Sequence, residues 1–509
     1  MKKSVLALQV FLVVFLLGLS PSGAGEAVQL RILYLNDFHG YAEPHQPLGS
    51  PIKIGGMAFL AGEVNRLRPE RPTLLLAAGD MIQGNPWANL FEGKSTIEVM
   101  NAMGFSAMVL GNHEFDYGQK ILNRRIEEAQ FPILSANVQG LPGIRPYLIK
   151  EISGIKIAII GLVTEDTPTA THPRNVEGLS FISAQESASK ALRELGRRPD
   201  LVLVLSHLGL PADHRLAETV KGIQVIVGGH THTRVETPIK VNETIIVQAW
   251  EHAKVLGVLD LTIQDRKVMA YQGKLIPIGP DRQKPDPIIA EIVDRYKNQT
   301  AALLEEVIGE AQVGLQGKGS RGRETNLGNL VADVLRQDVQ ADAALMNAGG
   351  LRADILKGPI RMKDLFSVLP FSNHLVVLRV TGRELKEILE HGLSDLSGTG
   401  GQYPQISGLR LTYKSTAPSG QRITSVWVQE KPLDPETWYT LATNDFLVAG
   451  GDGYAIFKKI LQNEKGSPTQ NPRVILFDSG KELRDLVIGF IKEKKQVSAL
   501  VEGRIQKIE

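Results

Sequence analysis

The segment AMVLGNHEFDYG, residues 107–118, decides how the first half of this chain folds. Its apolar start ends in Gly111, and four side chains able to bind metal or transfer protons follow within six residues. This pattern is typical of a buried strand that runs into a reactive loop. Asn112 offers an amide oxygen to a metal, and His113 and Asp116 can form a charged pair. Because a Gly-Asn-His loop can also be a plain turn, the interpretation depends on how the other strands end.

Four other strand-like runs end in the same way. Residues 30–35 lead to Asp37 and His39, 73–78 to Asp80, 201–205 to His207, and 225–227 to His230 and His232. Helical patterns between these runs indicate a layered α/β domain, in which ligands gather where strands meet loops. Any one of these side chains is more often a polar loop residue or a helix cap. Together with Asn112, however, they place metal-type side chains at five strand ends and predict a metal site.

The donor set is too large for one tetrahedral metal, so two metals fit better. The chain has no cysteine, which leaves His, Asp, Glu and Asn as ligands. Asp80 stands alone at a central strand end and is the best candidate to bridge two cations. His230 and His232 can point the same way only where the strand has become a loop, which Gly228 and Gly229 allow. Paired divalent metals roughly 4 Å apart clamp a phosphoryl oxygen and generate hydroxide at neutral pH.

The length of 509 residues predicts two domains. The formal charge of +2 includes Lys2 and Lys3, so the remainder is near neutral and binding to a nucleic-acid polymer is not expected. Those lysines, an apolar run at residues 5–19 and small residues at 22–24 predict a secretory signal at residues 1–24. The apolar run is shorter than the about 20 residues that a membrane span needs. An uncleaved anchor is the alternative; after cleavage no membrane association is expected.

A helical pattern bounded by prolines, residues 285–305, predicts a linker between a first domain at 28–284 and a second at 306–509. Three segments of the second domain are candidate ligand contacts: SRGRETNLGN at 320–329, NAGGLR at 347–352 and NDFLVAGGDG at 444–453. Glycines let a ligand approach the backbone, and arginine binds phosphate or carboxylate through two hydrogen bonds. Phe371 and Phe446 could stack on a planar base, although a core position is the commoner role of phenylalanine.

The motifs DxH, GD, GNHEFD, H and GHxH, in this order, resemble the calcineurin-like metallophosphoesterases over about residues 30–258. The resemblance implies two metal sites that share a carboxylate, with Asp37, His39, Asp80 and His232 at one and Asp80, Asn112, His207 and His230 at the other. It also implies a catalytic pair. His113 would stabilise the phosphoryl charge or assist the leaving group, and Asp116 would orient His113.

The motifs NHEFD, GGHTH, NAGGLR, LPF and GGDG extend the resemblance, over nearly the whole chain, to the secreted 5′-nucleotidase and UDP-sugar hydrolase family. This resemblance implies an N-terminal four-layer α/β/β/α domain joined by a helix to a smaller α/β substrate-binding domain. The second domain would swing to carry the substrate to the metals. The implied nucleotide contacts are Phe371, Phe446 and Asn347 at the base, Asp452 at the ribose, and Arg321 and Arg352 at the phosphate.

The expected activity is hydrolysis of nucleoside 5′-monophosphates, and of UDP-sugars or other nucleotides, in the periplasm or outside the cell. Hydroxide formed at two divalent metals, Zn, Mn or Co, would attack phosphorus in line. His232 is an amide in some close relatives, which leaves the identity of the metals open.

Three alternatives remain open from the sequence. They are a 2′,3′-cyclic-nucleotide phosphodiesterase with 3′-nucleotidase activity, a sulfur-ester hydrolase built on the same two domains, and a periplasmic nucleotide-binding protein without hydrolysis. The paired phenylalanines favour a nucleotide over a sulfur ester. The presence of Asp80 and His113 argues against binding alone, and against a purely structural surface protein.

Two further features are the segment that ends the first domain and the histidines outside the predicted metal site. Residues 244–262 alternate like antiparallel strands that close the first domain. Within them, His252 follows Glu251, and a structural role is expected for this histidine rather than support of a metal ligand. The histidines that belong to no cluster in the sequence are interpreted as surface or loop residues: His45, His172, His214, His374 and His391.

Overall fold

The computed structural model describes residues 27–47, 51–462 and 473–508. The signal predicted at residues 1–24 lies outside these described residues. Within the described ranges, no helix combines the length and the apolar character needed to cross a membrane.

The N-terminal half alternates strands and helices, as the sequence predicts. The strands are β1 (Val28–Leu35), β2 (Thr73–Ala77), β3 (Ala107–Val109), β4 (Ile133–Leu134), β5 (Val138–Gln139), β6 (Tyr147–Ile152), β7 (Ile155–Val163), β8 (Ser180–Phe181), β9 (Leu201–His207), β10 (Val225–Gly228), β11 (Ile239–Val241), β12 (Thr244–Gln248), β13 (Val255–Gln264) and β14 (Lys267–Pro277). The helices are α1 (Met57–Leu67), α2 (Pro86–Asn89), α3 (Lys94–Met103), α4 (Gly118–Glu128), α5 (Thr167–Ala170), α6 (Ala184–Leu195) and α7 (Leu210–Thr219).

Most of these strands form two six-stranded sheets in the described part of the chain, ordered β14-β13-β1-β2-β3-β4 and β11-β12-β10-β9-β7-β6. Alternate residues of β1 face different layers, as the period of a strand requires. Ile32 and Tyr34 pack in one core with Leu203 of the second sheet, whereas Leu33 and Leu35 join the core beneath the helices. Helices α6 and α7 cover the outer face of the second sheet. The four-layer α/β/β/α architecture expected from the family resemblance is therefore confirmed.

The direction of the central strands brings the loops of both sheets to one edge. In the first sheet β1, β2, β3 and β4 are parallel neighbours, and in the second sheet β7, β9, β10 and β12 are parallel neighbours. The carboxyl ends of parallel strands meet at the same edge, where α/β sheets bind their ligands. The expectation that residues 244–262 form an antiparallel closure is wrong in part. Strand β12 pairs antiparallel with β11 but parallel with β10, whereas β13 is antiparallel to both of its neighbours, β1 and β14.

Helix α8 (Pro287–Leu304) lies between the two halves of the chain. Its first turn is capped by Asp286, whose side chain accepts a hydrogen bond from the N–H of Ile289 at 2.9 Å. Val293 and Tyr296 are buried in the outer core of the first half, and the carbonyl of Val293 accepts a hydrogen bond from the Trp87 ring. The helix is thus packed against the N-terminal domain rather than suspended between domains.

The C-terminal half is a second α/β unit with its own cores. Its strands are β15 (Val307–Ala311), β16 (Ala343–Asn347), β17 (Gly358–Arg361), β18 (His374–Thr381), β19 (Pro404–Ser407), β20 (Leu409–Lys414), β21 (Ile423–Val428), β22 (Lys431–Pro432), β23 (Trp438–Asn444), β24 (Val474–Glu482), β25 (Gln496–Val497) and β26 (Ile505–Ile508). Its helices are α9 (Asn326–Asp338), α10 (Met362–Val368), α11 (Gly382–Gly392), α12 (Asp445–Val448), α13 (Ala455–Gln462) and α14 (Leu483–Lys494).

The central sheet of this half is ordered β19-β16-β23-β18-β24. Strands β16 and β23 are parallel neighbours and end in Asn347 and Asn444. Strand β18 is antiparallel to β23 and begins at His374, just after Phe371. The segments that begin at Asn347 and Asn444 therefore lie beside Phe371 at one edge of this sheet.

Candidate active site

Side chains from five strand ends converge at the shared edge of the N-terminal sheets. Asp37 and His39 follow β1, Asp80 follows β2, Asn112 follows β3, His207 ends β9, and His230 and His232 follow β10. Among these, Asp37, His39, Asp80, His230 and His232 have positive φ angles of 50°, 50°, 55°, 75° and 50°. Non-glycine residues rarely adopt this left-handed conformation, and it concentrates where a site fixes the loop. The backbone therefore turns sharply after β1, β2 and β10, where these five side chains lie.

The first cluster consists of Asp37, His39 and His232. The Nε2 atom of His232 lies 3.2 Å from Oδ1 of Asp37 and 3.3 Å from Nε2 of His39. One potential ligand atom from each residue lies within 4.8 Å of the others. Two nitrogens and one carboxylate oxygen at this spacing can hold one divalent cation.

The second cluster consists of Asp80, His207 and His230, whose ligand atoms also lie within 4.8 Å of one another. The Oδ2 atom of Asp80 is 3.1 Å from Nε2 of His207. The same oxygen is 3.8 Å from Nε2 of His39 in the first cluster. One carboxylate thus reaches both clusters, which is the position that a bridging ligand needs.

Unsatisfied buried atoms test whether these residues fit metals. The Oδ1 atom of Asn112 is buried and has no hydrogen-bond partner among the described residues, and the Nε2 atom of the buried His207 faces the Asp80 carboxylate at 3.1 Å. The other ring nitrogen of His207, Nδ1, contacts the Ala78 carbonyl at 2.7 Å. In the same way, Nδ1 of His39 contacts the Gln83 carbonyl at 2.8 Å. Such contacts fix the ring and direct Nε2 toward a metal. The residues present therefore fit two divalent cations, with nitrogen and oxygen donors throughout.

Charge interactions and burial shift the ligand pKa values in opposite directions. Burial and the Arg352 cation hold the pKa of His39 well below its usual range, and burial lowers that of His230 to about 3. Burial opposes protonation of His207 too, but its contacts with Asp80 raise its pKa to about 10. In His232 the Asp37 and Glu251 carboxylates similarly outweigh burial and raise the pKa to about 9. Two of the four imidazoles therefore carry protons at neutral pH that a metal must displace.

Glu251 supports His232, and the sequence interpretation missed this role. Its Oε2 atom lies 2.6 Å from Nδ1 of His232, while its other oxygen accepts a hydrogen bond from Lys254. His252 stacks on Tyr41 with ring centroids 3.9 Å apart, which is consistent with the structural role expected for it. The local sequence signal for Glu251 is its position beside His252 in the closing segment. The expectation concerned His252, whereas Glu251 is the residue that contacts a candidate ligand.

Glu114, inside the NHEFD motif, is a second residue that the sequence interpretation left without a role. Its buried carboxylate accepts backbone N–H groups from Asp80 at 2.9 Å, Met81 at 2.7 Å and Gly111 at 2.6 Å. Burial and the charge of Asp80 raise the pKa of Glu114 to about 7, against the opposing effect of these donors. The carboxylate joins the loops after β2 and β3 and fixes the backbone of two candidate ligands.

His113 and Asp116 form the predicted contact beside the clusters. Nδ1 of His113 lies 2.6 Å from Oδ2 of Asp116, and the hydroxyl of Thr171 donates to the other oxygen of Asp116 at 2.6 Å. The side chain of Asn175 donates to the Asp116 carbonyl at 2.8 Å. The N–H of His113 donates to Oδ1 of Asp80 at 3.0 Å. The imidazole is therefore fixed against the second cluster, with Nε2 as its remaining reactive atom.

A cavity of about 490 Å³ joins this pair to the C-terminal domain. It is lined from the N-terminal side by Asp80, Asn112, His113, Asp116, His230 and His232, and from the C-terminal side by Arg321, Asn347, Arg352, Phe371, Phe446 and Asp452. Every substrate contact implied by the family resemblance therefore lines the same cavity as four of the metal-type ligands, Asp80, Asn112, His230 and His232.

Arg352 and Phe371 make the closest approach to the clusters from the C-terminal side. A guanidinium nitrogen of Arg352 lies 3.4 Å from Nε2 of His39, and its carbon lies 5.9 Å from the centre of the Phe371 ring. Phe371 in turn stacks on His113 at 5.7 Å between ring centroids. The arginine is thus placed to contact an anion held between the two clusters.

Asp452, Asn347 and Phe446 form a packed wall of the cavity. The amide of Asn347 donates to Asp452 at 2.6 Å, and Asp452 has a φ of 48°. A Cβ atom on Gly451 would lie 2.3 Å from the Phe446 ring. The glycine is required at this position because the ring packs directly on its backbone.

The interpretation of His172, His374 and His391 as residues outside any cluster is wrong. His172 and His374 line the cavity, and both approach the Asp445 carboxylate, at 3.7 and 3.9 Å. Nε2 of His391 lies 2.8 Å from the carbonyl of Asp452. Their roles depend on contacts between distant segments, so the local sequence carried no signal for them.

The two-sheet fold, the paired clusters and the adjoining His-Asp pair define a metal-dependent phosphoesterase. Residues 30–234 match the family model described as calcineurin-like phosphoesterase, and residues 307–459 match that of the 5′-nucleotidase C-terminal domain. A snake venom 5′-nucleotidase of Crotalus adamanteus is 32% identical over 95% of this chain and 90% of its own length. The chain belongs to the 5′-nucleotidase family.

Two further comparisons agree with this assignment. The crystal structure of a 5′-nucleotidase precursor from Thermus thermophilus superimposes with a TM-score of 0.87, at 34% identity, covering 94% of this chain and 99% of that one. A trifunctional nucleotide phosphoesterase of Bacillus subtilis is 31% identical over 94% of this chain. This chain spans only 35% of that larger protein, so the similarity concerns one part of it.

Proposed function

We propose that this protein hydrolyses nucleoside 5′-monophosphates to nucleoside and phosphate, with UDP-sugars or other nucleotides as further substrates. One observation carries the proposal: a single cavity is lined by members of both candidate metal clusters and by the aromatic, glycine-rich and arginine-bearing segments of the second domain. A phosphate at the clusters and a base among the aromatic side chains would then belong to one ligand. The relatives named above as 5′-nucleotidases support the same substrate class.

The two clusters would hold divalent cations, for which Zn, Mn and Co are the candidates. When bound, such a pair polarises a phosphoryl oxygen and supplies hydroxide at neutral pH. Asp37, His39 and His232 would serve one cation, Asn112, His207 and His230 the other, and Asp80 both. Because the buried Oδ1 atom of Asn112 has no hydrogen-bond partner among the described residues, ligation would satisfy it.

His113 and Arg352 would act on the phosphoryl group from opposite domains. The Nδ1–H contact with Asp116 orients His113, and in the doubly protonated imidazolium form the Nε2–H would donate to a phosphoryl oxygen or to the leaving group. Arg352 lies against His39 and would neutralise phosphate charge together with Arg321. In this assignment Asp116 orients His113 and does not take up the proton.

The base and sugar would be held by the wall around Asp452. Phe371 and Phe446 line the cavity on the C-terminal side and offer flat apolar faces to a base. The side-chain amide of Asn347 donates a hydrogen bond to Asp452, and the same amide would also contact the base. The Asp452 carboxylate would accept hydrogen bonds from the ribose hydroxyls.

Phosphate release from AMP, UDP-glucose, a 2′,3′-cyclic nucleotide and an aryl phosphate, each with Zn²⁺, Mn²⁺ and Co²⁺, tests the proposal. The highest kcat/KM is expected for AMP, and EDTA should abolish it. Faster hydrolysis of the cyclic nucleotide would instead assign the protein as a cyclic phosphodiesterase. Hydrolysis of the aryl phosphate alone would contradict a nucleotide substrate.

We propose that the activity is exerted in the periplasm or outside the cell. The basic, apolar and small-residue pattern at residues 1–24 supports export, and a venom relative supports an exported setting for the family. Identification of the mature N-terminus by mass spectrometry in a secreted fraction would test this placement. Retention of the activity in the cytosolic fraction would contradict it.

A further inference from the structure

Asp445 lies between the two domains, just before Phe446. Its Oδ2 atom is 3.7 Å from Nε2 of His172 and 3.5 Å from a guanidinium nitrogen of Arg174, both in the N-terminal domain. From its own domain, Nδ1 of His374 approaches the same oxygen at 3.9 Å. Only 13% of the Asp445 side chain and 15% of the His172 side chain are exposed. This carboxylate is therefore the meeting point of cationic and imidazole groups from both sides of the cavity.

The geometry around Asp445 is fixed by contacts that do not involve the N-terminal domain. Its other oxygen accepts the N–H of His374 at 2.9 Å, and Asp445 begins helix α12 directly after the capping residue Asn444. Because the carboxylate is already held in this way, forming contacts with the opposite domain costs little further side-chain conformational entropy.

The partner loop on the N-terminal side also holds the catalytic pair. Thr171 donates to the Asp116 carboxylate and Asn175 donates to the Asp116 carbonyl, and His172 and Arg174 lie between them in the chain. The ring of His172 is 6.5 Å from that of Phe446. Helix α5, just before this loop, packs against the turn Gly451–Gly453 that carries Asp452. The loop at residues 171–175 thus contacts Asp116 on one side and Asp445 and Phe446 on the other.

We propose that Asp445 is a positioning residue that joins the nucleotide-binding wall to the loop that orients Asp116. The inference rests on the proposed function, since it assigns Asp445 to the recognition of the nucleoside part of that substrate. The contact with His172 and the ion pair with Arg174 hold Phe446 over the cavity while the phosphate lies at the metal clusters. Asp445 itself touches neither the metals nor the reacting atoms.

This arrangement predicts a separation of KM from kcat. Loss of the Asp445 charge weakens its contacts with His172 and Arg174 in the other domain. The affinity then falls for a substrate whose base binds at the wall formed by Asp452, Asn347 and Phe446. The contacts of Asp116 with Thr171 and Asn175 lie within the N-terminal domain and stay intact. A small aryl phosphate, which needs the clusters and His113 but no base wall, is therefore expected to be hydrolysed as before.

The test uses the full-length, metal-loaded protein and the variant Asp445→Asn, which keeps the shape and the hydrogen bond to His374. The KM for AMP is expected to rise about two- to fivefold, as for a partly exposed ion pair, with kcat on aryl phosphate unchanged. His172→Gln should raise the KM for AMP in the same direction. The double variant should show less than the product of the two single effects, because the residues act through each other.

The matched control is Glu436→Gln, which removes an ion pair with Arg383 inside the C-terminal domain and should leave both KM values unchanged. Normal AMP hydrolysis by the wild type with an unchanged KM in Asp445→Asn overturns the inference alone. An equal loss on AMP and aryl phosphate also overturns it, because it indicates a general structural role. A wild-type protein that hydrolyses aryl phosphate but no nucleotide overturns the proposed function and this inference together.

Discussion

Glu251 and His232 are joined by a contact of 2.6 Å between Oε2 and Nδ1, which leaves Nε2 of His232 directed at Asp37. Burial opposes ionisation of this carboxylate, yet His252, His232 and Lys254 around it hold its pKa well below the usual range. An ionised partner raises the basicity of an imidazole and fixes its orientation. The imidazole of His232 is therefore already oriented, with Nε2 toward Asp37, before a cation binds.

Replacement of Glu251 by Gln should weaken metal binding at the first cluster about 10- to 100-fold, as loss of an outer-shell partner does elsewhere. The amide keeps the size of the side chain but removes the charge. Titration with Zn²⁺ or Mn²⁺ against a competing chelator measures the effect. Glu243→Gln, at a side chain that is 94% exposed, is the matched control. Equal affinities in both variants would refute the support of His232 by Glu251.

Replacement of His113 by Ala should lower kcat by about 10²–10⁴-fold, the usual contribution of a positioned acid or base, while metal content stays the same. His113 contacts Asp80 through its backbone N–H, which alanine retains, so the clusters should persist. Steady-state kinetics together with elemental analysis of the purified variant checks both halves of the expectation.

The outcome that decides against this role is a His113→Ala protein that has lost its metals. In that case the imidazole would be a ligand rather than a group acting on the phosphoryl oxygen. His214→Ala, a substitution in helix α7 away from the cavity lining, controls for the loss of a histidine as such. It should match the wild type in both kcat and metal content.

The sequence could predict where the candidate ligands gather, because each of them ends a strand or follows its end within a few residues. Asp80, for example, comes directly after the apolar run of β2 and the permissive Gly79. Parallel strands bring such ends together whatever the distant sequence contains. The alternation of Ile32 and Leu33 between two cores likewise follows from the strand period.

The supporting residues could not be predicted in this way, because their contacts join segments that no local period relates. Glu251 reaches His232 across 19 residues by way of the left-handed backbone at Trp250 and His252. Asp445 meets His172 from the other domain. Such contacts depend on how loops and domains are placed, which is a tertiary property.

Replacement of Phe446 by Ala should raise the KM for AMP about tenfold or more, because stacking of a base on an aromatic ring is worth ~1–3 kcal/mol. Hydrolysis of a small aryl phosphate should be largely unaffected, since the clusters and His113 are unchanged. Parallel kinetics on the two substrates measures the difference. Trp427→Ala removes an exposed aromatic ring outside this cavity and should affect neither. Equal losses on both substrates would argue against stacking.

Metal uptake by the metal-free protein should release about two protons at neutral pH, because ligands must be deprotonated before they bind. Burial opposes the charge on both imidazoles, but contacts with Asp80 raise the pKa of His207 to about 10, and contacts with Asp37 and Glu251 raise the pKa of His232 to about 9. Both imidazoles are therefore protonated at neutral pH, whereas His230, with a pKa that burial lowers to about 3, gives up no proton.

The sign of the pH dependence follows from these protons. Apparent affinity for Zn²⁺ or Mn²⁺ should rise with pH until it passes the pKa values of His207 and His232, and should level off above them. Calorimetric titrations of the metal-free protein in buffers of different ionisation enthalpy count the protons directly. In Glu251→Gln the pKa of His232 should fall, so that fewer protons are released on binding. Heats that are the same in every buffer would mean that neither imidazole is protonated beforehand, and the ion pairs with Asp80 and Asp37 would then not describe the metal-free site.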